Sequence, residues 1–262
     1  MRNNLQHLVF LLNAVSGIKD LTLTTNGYLL EQQAEALKKS GLSRITVSLD
    51  TLDDELFKTM NGRGFDTQRV LAGIESARRA GLSPIKINSV VQKDVNDHTI
   101  VDLARHFKGT GMIVRFIEYM DVGNLNSWKL NEVVPASEIL EKIDTELPLE
   151  PLSPNYSGEV ASRYKYKDGS GEIGIISSVS QPFCGQCTRA RLSTDGKLYT
   201  CLFGEVGLNL RDPMRDGATS EELKALITTC WENRDDKYSE DRTSNTAGTS
   251  TSNKIEMYQI GG

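Results

Sequence analysis

Apolar residues recur along the first 120 positions in two alternating rhythms. Short β-branched runs at 21–25 (LTLTT), 45–49 (ITVSL), 85–91 (IKINSVV) and 112–117 (MIVRFI) read as strands. Between them the apolar positions fall three or four apart, as on one face of a helix. That spacing covers 4–15, about 30–40, a region from Asp53 interrupted by Asn61-Gly62-Arg63-Gly64, 66–80 and 97–108. Gly41 and Gly81 stand just past two of these helices, where a left-handed residue closes the last turn. Short connections between β-branched strands and helices predict βα units around parallel strands, an α/β fold. The chain opens on a helix that feeds a buried strand, in the middle of such a repeat. A native start could do this, but a truncated or split gene is the sharper expectation, with a TIM-like (βα) barrel lacking its first units.

The texture changes after Asp121, where the expected domain boundary separates residues 1–121 from 122–262. Residues 122–135 are polar and loop-like, a helix follows to about 146, and 148–154 reads as a proline-rich bend. Short β segments are expected at 160–167 and 172–177, and a helix from 219 to about 231. The stretch 232–253, rich in Ser, Thr, Asn and Asp, offers too little apolar surface to order itself and is expected to be flexible. The chain then returns to apolar character in IEMYQIGG.

Composition narrows the function. Hydrophobic residues make up 38% and charged residues 25% of 262, and no run approaches the roughly 18 apolar residues of a membrane span. No membrane partner is expected. A formal charge of −5 argues against a general nucleic-acid binder, so an anionic ligand would need a local basic pocket. The four cysteines (184, 187, 201 and 230) all lie in the last third, unlike a disulfide framework spread along a secreted chain. They favour a metal site in a reducing compartment, hence a cytoplasmic location, or mitochondrial in a eukaryote. His7, His98 and His106 lie away from the cysteines and read as solvated helix positions.

The densest chemistry lies in 183–203, FCGQCTRARLSTDGKLYTCLF. Asp195-Gly196 between two strand-like runs predicts a two-residue hairpin of type I′. In that register Thr194 pairs with Lys197, and Cys201 falls opposite Ala190, near the Cys184/Cys187 knuckle. Three converging thiolates suit zinc or an iron–sulfur cluster, while buried cysteines clustered by chance are the plain alternative. Zinc usually takes four protein ligands, and Cys230 lies far downstream. Arg189 and Arg191, two apart on a strand, share a face and repel each other unless an anion separates them, which a phosphate chain would do. Strict pairing nevertheless puts Cys201 and Arg191 on opposite faces of this hairpin.

That segment resembles the C-terminal cluster motif of the GTP 3′,8-cyclase family of radical S-adenosylmethionine enzymes, which serve molybdenum-cofactor biosynthesis. The resemblance extends through LTLTTNG, ITVSLD, KINSVV and RFIEYMDVGN to the terminal Gly-Gly. It implies conversion of GTP to (8S)-3′,8-cyclo-7,8-dihydroguanosine 5′-triphosphate, a lyase reaction, in a homodimer. Cys184, Cys187 and Cys201 would hold a 4Fe–4S cluster that binds substrate. Thr24, Lys86, Arg189 and Arg191 would bind GTP. Ser48 and Met120 would contact S-adenosylmethionine, with Arg115 in the same pocket. Gly261 and Gly262 would thread into the active site. The family's other 4Fe–4S motif, C-x3-C-x2-C, is absent from these residues. The chain alone is therefore expected to be inactive unless a missing segment, or a separate N-terminal polypeptide, supplies that cluster. A non-catalytic GTP- and cluster-binding fragment, or a peptide-modifying radical enzyme, are the alternatives.

Overall fold

The computed structural model describes residues 3–124, 127–242 and 254–260. The chain divides into two compact units. The first comprises Met1–Tyr119, Asn131–Asn155 and Ala161–Ser177; the second comprises Met120–Leu130, Tyr156–Val160 and Ser178–Gly262. The division expected at 121/122 therefore falls differently, because residues 131–155 and 161–177 return to the first sheet.

The first unit runs α1 (Leu5–Asn13), β1 (Thr22–Thr25), α2 (Leu30–Lys39), β2 (Arg44–Ser48), α3 (Asp54–Asn61), α4 (Thr67–Arg79) and β3 (Ile85–Val91). It continues with α5 (Ile100–Phe107), β4 (Ile113–Glu118), α6 (Ala136–Glu146), β5 (Leu149–Leu152), β6 (Ser162–Tyr166) and β7 (Glu172–Ile176). Its sheet has the order β1-β2-β3-β4-β7-β6-β5. Strands β1 to β4 and β7 are parallel neighbours, and β5 and β6 form an antiparallel extension. Local chemistry sets the helix starts: Asp53 accepts from Leu56 N at 2.8 Å and Asp66 from Arg69 N at 2.9 Å, each satisfying an orphan helix donor.

One sheet face is apolar. Ile45, Val47, Ile87, Val114, Phe116, Ile173 and Ile175 pack there in one core with Leu37, Ile74, Leu103, Ile139 and Ile143 from the helices. Gly27, at φ +77, lets the chain turn from β1 into α2; a Cβ there would stand 2.9 Å from Val70 Cγ1. The segment read as a proline-rich bend is instead strand β5, and Pro151 sits on the sheet's edge, where a missing N–H costs no ladder bond.

The second unit holds a small antiparallel sheet, β10-β9-β8, from β8 (Arg191–Leu192), β9 (Lys197–Tyr199) and β10 (Leu208–Asn209). Around it are α7 (Arg211–Arg215), α8 (Ser220–Glu232), α9 (Tyr238–Asp241) and α10 (Met257–Ile260). A capping box between Thr219 and Glu222 starts α8. Of the stretch expected to be flexible, 243–253 lies outside the described residues. Residues 234–242 are held by side chains: Arg234 donates to the Cys187 carbonyl and Arg242 is buried. Composition hid this, because polar residues with fixed partners look the same as solvated ones. No helix among the described residues is long and apolar enough to cross a membrane.

Candidate functional site

The face of the first sheet opposite the apolar core carries polar side chains in register. Along one row, Thr24 pairs with Thr46 and Thr46 with Lys86. Along the next, Ser48 pairs with Asn88, Asn88 with Arg115 and Arg115 with Gly174. Arg115 donates through Nε to Asn88 Oδ1 at 2.9 Å and through Nη2 to Thr46 Oγ1 at 3.4 Å. Gly174 leaves room for it, since a Cβ there would lie 3.2 Å from Arg115 Cγ. Thus four of the expected ligand-binding residues, Thr24, Ser48, Lys86 and Arg115, share one face. Thr46 and Asn88 belong with them, although neither stands out in the sequence. Their signal is the alternation of ITVS and IKIN, which needs the strand register before it becomes a row.

Beyond the end of β2, Asp50 ties two strands together. Its Oδ1 accepts from Val90 N at 2.8 Å, and its carbonyl accepts from Ser89 Oγ at 3.1 Å and Asn96 Nδ2 at 2.9 Å. Asn96, 1% exposed, also donates to the Val90 carbonyl and accepts from Gln92 N, both at 2.9 Å. Burial pushes the Asp50 carboxyl up to about 6, against a smaller opposing pull from the Val90 N–H. At the end of β4, Glu118 Oε1 accepts from Ala136 N at 2.7 Å and so caps α6, where a carboxylate suits the helix N-terminus. Met120 opens the second unit.

In the second unit Cys184 starts a tight 3₁₀ turn, closed by Cys187 N donating to the Cys184 carbonyl at 3.0 Å. The hairpin that follows differs from expectation by one residue. Arg191 pairs with Tyr199 and Leu192 with Leu198, while Ser193 N donates to the Lys197 carbonyl at 2.9 Å. The loop therefore holds three residues, Thr194, Asp195 and Gly196, with Gly196 at φ +82, rather than the two of a type I′ turn. Ser193 Oγ stabilises it, accepting from Lys197 N at 3.0 Å. A one-residue slip inverts the faces. Within the paired residues Arg191 shares a face with Tyr199; Arg189 precedes β8, and Cys201 lies past the end of β9 in a bend. The type I′ pairing that set Cys201 and Arg191 on opposite faces is therefore not the one the hairpin adopts.

The charges of this region bear on one another. Arg189 Nη2 donates to Cys187 Sγ at 3.2 Å. Burial alone would raise the Cys187 thiol, but the Arg189 backbone N–H, its guanidinium and the charge of Arg191 together hold it below its ordinary value. Burial pushes the Cys201 thiol up, helped by Asp236 and Cys184 and opposed by Phe203 N–H and Arg191. Arg191 itself is lowered, first by burial and then by the charge of Arg189. Two cations at one thiol-rich place call for an anion. No three His, Cys, Asp or Glu side chains among the described residues form a set that could hold a metal ion. Cys184 and Cys201 lie within reach of each other's charge without closing such a set. The donor chemistry still fits an iron–sulfur cluster: three thiols lie on a short turn and the end of a hairpin, and neighbouring cations favour thiolate at Cys187. Cys230 lines a separate groove beside α8 with Leu208, Pro213 and Leu226. Gly261 and Gly262 lie outside the described residues.

Comparison with known proteins defines the class first. The Radical SAM superfamily matches residues 1–107, and Molybdenum Cofactor Synthesis C matches residues 112–240. Curated proteins named GTP 3′,8-cyclase align along the whole chain. The protein of Xanthomonas campestris pv. campestris (strain B100) is 48% identical over 263 residues, covering 100% of this chain and 76% of the relative. Those of Staphylococcus saprophyticus and Staphylococcus aureus (strain Newman) are 46% and 45% identical, with 77% of each relative covered. A solved radical SAM methyltransferase from Sphaerobacter thermophilus overlaps 47% of this chain and 37% of its own at 17% identity and a TM-score of 0.38, a likeness too slight to bear on the fold. The chain belongs to the GTP 3′,8-cyclase family.

Proposed function

We propose that this chain serves the cyclisation of GTP between C3′ and C8, a lyase reaction of the cytoplasm, using S-adenosylmethionine and a 4Fe–4S cluster on Cys184, Cys187 and Cys201. The observation that carries the reading is the company the arginines keep: Arg189 donates to Cys187 Sγ, and Arg191 lies within reach of the charges of Arg189, Cys187 and Cys201. When bound on three thiolates, such a cluster supplies an iron with an open position for a substrate atom. The protein's own part is electrostatic and positional. Arg189 and Arg191, forced together, take the triphosphate between them, which relieves their mutual repulsion through bidentate contacts. On the first unit, Thr24 and Lys86 offer a hydroxyl and a cation to the nucleotide. Ser48 offers a hydroxyl to S-adenosylmethionine, and Arg115 is held in line by Asn88 and Thr46. Met120 is assigned to the same cofactor.

Anaerobic reconstitution with iron and sulfide tests the reading. About four irons per chain are expected, lost when Cys184, Cys187 or Cys201 becomes alanine and kept in Cys230→Ala. Zinc persisting at one per chain after reconstitution would overturn it.

A further inference from the structure

Two buried cations meet at the carboxylate of Asp121. Arg242 Nη2 lies 2.8 Å from its Oδ1 and Lys254 Nζ 2.8 Å from its Oδ2. The three side chains are only 11%, 4% and 10% exposed, for Asp121, Arg242 and Lys254. Lys254 also donates to the Asp121 carbonyl at 3.1 Å, the Tyr238 hydroxyl donates to Oδ2, and Arg242 Nη1 donates to the Ser178 carbonyl at 3.0 Å. Aromatic faces make up part of the missing negative charge. Phe203 and Tyr238 stack at 4.5 Å, Arg242 lies 5.0 Å from the Phe203 ring, and Lys254 lies 4.5 Å from that of Tyr238. Taking these ions out of water is costly, and the cost is recovered only while each keeps its partner.

What the two cations carry gives the cluster its purpose. Arg242 ends the stretch that grips the cysteine knuckle, where Arg234 donates to the Cys187 carbonyl and Glu240 Oε1 accepts from Gly185 N at 3.1 Å. Lys254 begins the C-terminal stretch, which lies on the loop bearing Cys201. Ile255 N donates to the Gly204 carbonyl at 3.1 Å. Ile255 and Ile260 are buried with Tyr199, and Leu202 packs against them, so the contacts fall on both sides of Cys201. Asn124 adds a further clasp, donating from its backbone N to Glu256 Oε1 at 2.8 Å.

We propose that Asp121 is a positioning residue: its carboxylate locks residues 234–242 onto the Cys184–Cys187 turn and residues 254–260 onto the Cys201 loop. Together these stretches shield the thiol site from solvent. The shielding of a cluster rests on the function proposed above; the locking does not. Asp121→Asn keeps the shape and removes the charge that two buried cations require. Lys254→Met removes one cation and leaves the Asp121–Arg242 pair, so it tests the same lock in a chain with a compensated core.

The reconstituted protein and both variants are compared by hydrogen exchange and by the rate at which an iron chelator bleaches the cluster. Exchange in 254–260 is expected to rise by about tenfold or more in both variants, with the first sheet unchanged. Bleaching should quicken in both, and Asp121→Glu should restore part of each effect. Unchanged exchange in 254–260, or an equal rise throughout the chain, would overturn the lock. A rise in exchange without faster bleaching would overturn the shielding. A chain that takes up no iron at these cysteines would refute the function proposed above and leave the exchange result to decide the lock.

Discussion

Replacing Asp50 by asparagine keeps an acceptor for the Val90 N–H and removes a charge that the fold holds at a cost. The carboxyl titrates near 6 in the folded chain against an ordinary value of 3.8, with burial as the first cause. A carboxyl with a raised pKa binds its proton more tightly when folded than when unfolded. Its contribution therefore favours folding most at low pH and is lost as pH climbs from about 4 through about 6. From those two values, ionising Asp50 costs about 1.6 kcal/mol of stability at pH 5 and about 3.0 kcal/mol at pH 8. The increment between them is about 1.4 kcal/mol.

Asp50→Asn should remove that slope. Its stability advantage over the unaltered chain is expected to grow by about 1.4 kcal/mol from pH 5 to pH 8, or about 3–6 °C in melting temperature for a chain of this size. Urea unfolding followed by far-UV circular dichroism at pH 5, 6, 7 and 8 measures it, using differences between variant and unaltered protein so that other titrations cancel. A difference that is flat with pH, or that shrinks toward pH 8, would refute the argument. A destabilised variant at every pH would show that the carboxylate charge holds the strands, the opposite of a charge kept at the expense of its own burial.

Other changes probe separate parts of the structure. Removing Arg189 or Arg191 should weaken GTP by about 1.5–3 kcal/mol each, with guanosine unaffected; calorimetry showing equal affinity of the unaltered protein for GTP and guanosine would contradict the phosphate role. Gly27→Ala should cost about 2–4 kcal/mol, from a left-handed backbone and a Cβ driven against Val70. A shift in urea midpoint too small to measure would mean that Val70 moves aside. Thr219→Ala should loosen α8 by about 1 kcal/mol, seen as faster hydrogen exchange confined to that helix. Its effect stays local because no residue of α8 is buried.

Strand and helix positions were legible because burial makes periodicity. Ile85, Ile87 and Val91 alternate with Lys86, Asn88 and Val90, and the same alternation appears in the burial of β3. Three features were not legible, each for its own reason. Pro151 signals a break only when both sheet edges are occupied, and β5 is an edge strand. Asp195-Gly196 fits both a two-residue turn and the end of a three-residue loop; the Ser193 hydroxyl, bonding Lys197 N, favours the longer one. In 232–242, Arg234, Glu240 and Arg242 are polar because their partners are backbone carbonyls, an amide and a buried carboxylate, none of which a composition count can see.

The polar sheet face shows where register adds what periodicity lacks. Alternation in β2 and β3 says only that one face of each strand is polar, and a solvated face would satisfy it equally. A solvated face, however, leaves its hydroxyls in water, and Thr46 is 3% exposed. It lies beneath Arg115, whose guanidinium spans from Asn88 on β3 to Thr46 on β2. A glycine at the Arg115 partner position on β7 clears space for that side chain. A buried threonine, a bridging asparagine, an arginine fixed at both ends and a facing glycine make a built surface. Extended arginines on ordinary solvated sheets lose rotamer freedom for little return. A preorganised guanidinium loses less on meeting a carboxylate or phosphate, so the cost of fixing it makes sense where a ligand of that charge arrives. By that argument Asn88 and Thr46 act through Arg115. Asn88→Ala should therefore weaken S-adenosylmethionine binding and lose nothing more when combined with Arg115→Ala, whereas independent losses would separate the two residues.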